Sequence, residues 1–70
     1  MKEYKEGKYT ITEFPGGDKY WVVDNQFHNE NGPAVIGTNG HEQYYLNGEV
    51  LTKHEWTLEM RAIKFDELGL

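Results

Sequence analysis

"NGPAVIGTNGHEQYYLNG", residues 31–48, carries Asn-Gly at Asn31-Gly32, Asn39-Gly40 and Asn47-Gly48, spaced eight residues apart. Either a binding loop occurs three times, or the chain turns back on itself at each pair. Asn and Gly tolerate the positive φ that both central residues of a type I′ hairpin turn require. Turn signals continue upstream, at Pro15-Gly16-Gly17-Asp18 and Asp24-Asn25. Between them lie "KYTITEF", "KYWVVD", "PAVIGT" and "HEQYYLN", short runs rich in β-branched and aromatic residues. In the first, Tyr9, Ile11 and Glu13 share one face, and Thr10, Thr12 and Phe14 the other. The pairs are hairpin punctuation, and residues 8–50 are expected to form an antiparallel β-meander of four or five short strands. "QFHNE" is a connection or weak edge strand, and Pro33, lacking an amide proton, marks a strand start.

After Gly48 the pattern changes. "LTKHEWTLEMRAIKF" has no breaker, and Thr52 with Glu55 three residues on forms a capping box. Leu51 and Trp56 can close a hydrophobic staple across it. A helix over 52–66 is predicted, giving a single α+β domain with one C-terminal helix on the sheet. At 100° per residue Trp56, Met60 and Ile63 form one apolar stripe, and Leu58, Ala62 and Phe65 a second, nearly opposite. The staple favours the Trp56 stripe against the sheet. The core is then Trp56, Met60, Ile63, Tyr9, Ile11, Val23, Val35 and one of Tyr44 and Tyr45. The second stripe is covered by the chain's own ends or forms a contact with another protein.

Composition narrows the chemistry. The 70 residues contain no cysteine, twelve acidic and seven basic side chains, and a net charge of -5. Disulfides and thiolate metal sites are excluded. Arg61 is the sole arginine, which argues against direct nucleic-acid binding. There is no serine, and Thr52 has a capping role, so no catalytic residue is expected. His28, His41 and His54 match no ligand spacing and read as solvated; no metal or cofactor is expected. His28 alone suits a turn-organising role, bonded to the Gly32-Pro33 backbone. The start "MKEYKEGKYT" lacks the apolar stretch of a leader, and no run is long enough to span a membrane, so a cytoplasmic protein is expected.

Aligned on itself, the chain repeats at a spacing of 23. Gly17 matches Gly40, Trp21 Tyr44, Val23 Leu46, Asp24-Asn25 Asn47-Gly48, and Phe27 Val50. The unit, continuing as "FHNENGPAVI", resembles the repeat "W-Y-x-N-G-x-x-H-R-x-x-G-P-A-V" of small bacteriophage and bacterial proteins, whose hairpin arrays are similar to MORN repeats. The resemblance covers about residues 14–50 and is strongest over His28, Gly32, Pro33, Ala34 and Val35. It departs at Asn29, where arginine is usual, and at Leu51, where the second copy should have histidine. It implies stacked hairpins and a small accessory protein, plausible as a phage-encoded inhibitor of a host or anti-phage defence protein and acting in the host cytoplasm.

Three functional readings are weighed. The preferred one is a non-enzymatic protein-binding module whose Leu58, Ala62 and Phe65 meet a host protein or a second copy of the chain, as a homodimer. The second is an oligomeric sponge for a small nucleotide, with Arg61, Lys64 and Lys19 on phosphate and Tyr20 and Tyr45 as outward aromatic faces. The third is a self-assembling structural protein.

Overall fold

The computed structural model of the chain describes residues 1–67. Seven strands precede one helix: β1 Lys2–Glu6, β2 Tyr9–Glu13, β3 Lys19–Val23, β4 Gln26–Phe27, β5 Val35–Ile36, β6 Glu42–Leu46, β7 Glu49–Leu51 and α1 Lys53–Glu67. This is the expected α+β class, an antiparallel sheet with a C-terminal helix. The strand count exceeds four or five because "EVL" forms β7 on β6 and "KEYKE" forms β1, paired along its length with β2. Its charges make it look like a solvated tail, but an edge strand with both faces in water has no need of apolar alternation.

The two-residue turns are built as the turn residues require. Asp24 and Asn25 have φ of 51° and 64°, and Asn47 and Gly48 have 52° and 82°, the positive pair of a type I′ hairpin. Gly7 alone is positive in the β1–β2 turn, at 58°, as the first central position of a type II′ turn requires. The other Asn-Gly pairs depart from the type I′ expectation. At Asn39-Gly40 only the glycine is positive, and Gly37 N donates to His41 O while Gly40 N donates to Gly37 O. That is a turn closed by a left-handed glycine. The loop Phe14–Asp18 has the same bonds: Phe14 N to Asp18 O, and Gly17 N to Phe14 O. The repeat in sequence is therefore a repeat in backbone geometry. Asn31-Gly32 is not a hairpin turn at all; it lies in the loop joining β4 to β5.

The sheet order is β1-β2-β3-β5-β6-β7, with β4 also paired to β3. A simple meander would give each strand one new neighbour. Here β3 offers one edge to two strands: Val22 and Val23 pair with Phe27 and Gln26, and Lys19 and Tyr20 with Ile36 and Val35. The chain between, residues 28–34, must loop out and back.

Register assigns the faces, because residues opposite one another point the same way. Tyr4, Ile11 and Trp21 share one face; Tyr44, Leu46 and Leu51 lie on it further along. The helix covers this face at one end only, against β6 and β7. The Trp56 ring meets Tyr44 at 5.0 Å between centroids, and Met60 is buried. The Trp56 stripe thus faces the sheet, as the staple implied. Both halves of the capping box form: Thr52 N donates to Glu55 Oε1 at 2.9 Å, and Glu55 N to Thr52 Oγ1 at 3.1 Å.

The core differs from expectation in membership. Ile11, Ala34, Tyr44, Leu46 and Met60 are buried, whereas Tyr9, Val23, Val35, Trp56 and Ile63 are half-buried. Val35 points to the face away from the helix, since it pairs with Tyr20 and Gln43. Extents of 43 × 24 × 16 Å describe a long single-layer sheet with a helix at one end.

Candidate binding surface

The loop after β4 holds the two repeat copies together. Asn29, only 4% exposed, uses every polar group it has. Its backbone N donates to Tyr45 O, its Nδ2 donates to Pro33 O at 2.8 Å, its Oδ1 accepts from Asn31 N, and its carbonyl accepts from Trp56 Nε1 at 2.9 Å. A buried polar side chain persists only when satisfied in this way. Asparagine fits because one amide supplies donor and acceptor together; an arginine would supply no acceptor for Asn31.

His28 is buried too, which corrects its reading as a solvated residue. Its ring does not bond the Gly32-Pro33 backbone; Asn29 takes Pro33. Instead His28 Nδ1 accepts from Asn47 N at 3.0 Å, so the Nε2 proton goes to Glu30 Oε2, 2.7 Å away. This assignment pins one tautomer and ties the loop to the second type I′ turn. Glu30 also pairs with Lys8. The Lys8 ammonium, and then His28, hold its carboxyl below the usual carboxylate range. Tyr9 stacks over the His28 ring at 6.4 Å, and its hydroxyl accepts from Glu30 N. Both histidine nitrogens are therefore occupied by structural bonds. His41 and His54 are exposed, and among the described residues no three His, Asp or Glu side chains converge as a metal site would need.

The opposite face of the sheet is unlike this one. Phe14, Tyr20, Phe27 and Tyr45 form a row of touching rings, with centroids 5.2, 5.6 and 5.2 Å apart. Val22 and Val35 lie on the same face, as does Val50, 61% exposed. No helix covers it, because α1 sits on the Tyr44 side. Each ring is mostly covered by its neighbours and keeps a minor part of its surface in water. Of these rings, Tyr20 and Tyr45 are one member from each aromatic pair. Phe14 and Phe27 are site residues absent from the sequence expectations: parity puts Phe14 on the Thr10–Thr12 face, but Phe27 joins that face only through the pairing of β4 with β3.

The remaining predicted site residues fall in three places. Leu58 and Phe65, 49% and 55% exposed, lie with exposed Ala62 on the outer side of the helix. Arg61 and Lys64 are also exposed there. Lys19 is elsewhere, its ammonium 4.9 Å above the Trp21 ring on the helix-bearing face. Tyr20 and Tyr45 look out from the other face. The structure therefore brings Tyr20 and Tyr45 together through Phe27, and Leu58 with Ala62 and Phe65, but does not bring the three cations to the two tyrosines. Gly32 and Pro33 belong to the loop closed by Asn29.

A cleft of about 350 Å³ lies between α1 and β6–β7, lined by His28, Leu46, Asn47, Glu49, Leu51, Glu59 and Ile63. Among the described residues no helix is long and apolar enough to cross a membrane.

Compared with protein-family models, with curated proteins and with solved structures, the chain matches none.

Proposed function

We propose that this chain is a non-enzymatic protein-binding module whose contact surface is the helix-free face of its sheet. The observation that carries the reading is the continuous row Phe14–Tyr20–Phe27–Tyr45. Contiguous, partly exposed apolar surface of this kind, flanked by the exposed Val50, fits an interaction site, and aromatic side chains dominate the energetics of protein contacts. A nucleotide would need cations beside the rings, and Arg61, Lys64 and Lys19 lie away from them. Catalysis would need a free nucleophile or base, and the one buried histidine has both nitrogens engaged. The resemblance to phage hairpin arrays supplies the partner class, a host protein that the module inhibits. The outer helix stripe of Leu58, Ala62 and Phe65 is the competing contact.

The test places a photo-crosslinking amino acid at Tyr45 or at Phe65 in cells that contain the partner. Crosslinks to one discrete protein from position 45 and not from 65 are expected. The reverse pattern would move the contact to the helix, and silence at both positions would remove the proposal.

A further inference from the structure

The outer edge of β1 has no partner among the described residues, since β1 ends the sheet order and pairs only with β2. Its five residues, Lys2–Glu6, are exposed except Tyr4, which is half-buried. The helix packs chiefly against β6 and β7, at the far end of the sheet order from β1. An open edge is a template for another strand, and proteins usually blunt it with charge, proline or a bulge. Here the charges do something else. The strand reads Lys-Glu-Tyr-Lys-Glu, a pattern that becomes its own complement when reversed.

We propose that β1 pairs with β1 of a second copy, antiparallel about a two-fold axis through Tyr4, to make a homodimer with one continuous sheet. In that register Lys2 lies opposite the second copy's Glu6, Glu3 opposite its Lys5, and Tyr4 opposite its Tyr4. Two-fold symmetry gives every opposite-charge pair twice, and cross-strand pairs of opposite charge stabilise while like charges repel. Neighbouring registers fail this test. A shift of the axis to Lys5 or to Glu3 sets like charges face to face there. An axis midway between residues sets Glu3 against Glu6, or Lys2 against Lys5. A parallel, in-register pair opposes every charge to its like.

The backbone agrees with the charges. Glu6 and Tyr9 flank a two-residue turn, so they form a hydrogen-bonded pair, and the bonds to β2 then alternate through Tyr4 and Lys2. The amides and carbonyls of Glu3 and Lys5 consequently point outward. These are the residues that the proposed register sets opposite one another, so their free groups meet as hydrogen-bonded pairs. Tyr4 falls at a non-hydrogen-bonded position, where side chains approach most closely. The axis runs perpendicular to the sheet, so both aromatic rows lie on the same side of the dimer and double the surface available to a partner. The pairing itself stands or falls independently of that surface's role.

Sedimentation equilibrium of the wild type and of Glu3→Lys and Lys5→Glu variants tests it. Glu3 and Lys5 lie opposite Thr12 and Thr10 of β2, so exchanging either charge leaves the hairpin's own pairs intact, and near-ultraviolet circular dichroism verifies the fold. The wild type is expected to dimerise. Each variant alone should dimerise at least about tenfold more weakly, because both symmetry-related pairs become repulsive. An equimolar mixture of the two should recover association, since one chain then carries lysine at both positions and meets glutamate at both positions of the other. A wild type that stays monomeric, variants that dimerise as well as the wild type, or a mixture that fails to recover would each overturn the proposal.

Discussion

Tyr4 shows how one hydrogen bond links pH to structure at the scale of a residue. Its hydroxyl donates to Glu13 Oε2 at 2.5 Å across β1 and β2, and the accepting carboxylate pushes the phenol up to about 12. The same bond, first among its causes, lowers Glu13. A raised phenol stabilises the fold fully below its unfolded value of 10.0, and that share is lost as pH rises towards 12. A lowered carboxyl stabilises above its unfolded value of 4.5, and that share is lost as pH falls through the folded value. The pair therefore contributes most between those limits. Tyrosinate absorbance should show a late step near pH 12, and Tyr4→Phe should remove that step. A wild-type titration without a late step would show that the bond does not form in solution. Asn29 carries the opposite lesson. Nothing in "HNENG" distinguishes a buried four-bond hub from an ordinary loop asparagine, because its burial comes from Tyr45 and Trp56, which lie on β6 and α1.

At the scale of elements, the two type I′ turns differ in one respect. Asn47-Gly48 has glycine at the second central position, whereas Asp24-Asn25 has asparagine there, at a φ of 64°. Glycine adopts that region without the steric penalty of a Cβ. Asn25→Gly should raise stability by about 0.5 kcal/mol, read as a shift in the urea midpoint. Gly48→Ala should do the reverse, at a cost of about 1 kcal/mol or more, because the residue sits at φ +82° with Gln26 atoms 3.4 Å from a new Cβ. Equal midpoints for both variants would contradict the turn assignment. The helix start needed no tertiary information: Thr52 and Glu55 satisfy each other's backbone amides within a single turn. β1 did need it, because its strand conformation rests on pairing with β2 and not on any apolar face of its own.

On the scale of the whole molecule, a single-layer sheet with a helix at one end must leave surface uncovered. The two stripes of α1 divide on this point. Met60, 5% exposed, fills the helix–sheet core, while Leu58 and Phe65 are half exposed. Met60→Ala should cost about 2–5 kcal/mol of unfolding free energy. Leu58→Ser with Phe65→Ser should change it by about 0.5 kcal/mol or less. Thermal denaturation of the two variants separates these cases, and comparable losses would mean that the outer stripe is covered. Neither outcome depends on a partner.

The sequence by itself determined the α+β class, the hairpin turns at Asp24-Asn25 and Asn47-Gly48, the helix start and the two apolar stripes of the helix. Each is set by residues within a few positions of one another: left-handed turn residues, a capping pair, a 3.6-residue period. Tertiary structure alone decided that β3 shares one edge with β4 and β5, that His28 and Asn29 are buried, and that the aromatic row gathers opposite the helix. Those depend on which strands meet and on which side the helix lands, so they are products of long-range register. Local preference places a residue in a strand; only its neighbours in space decide what it touches.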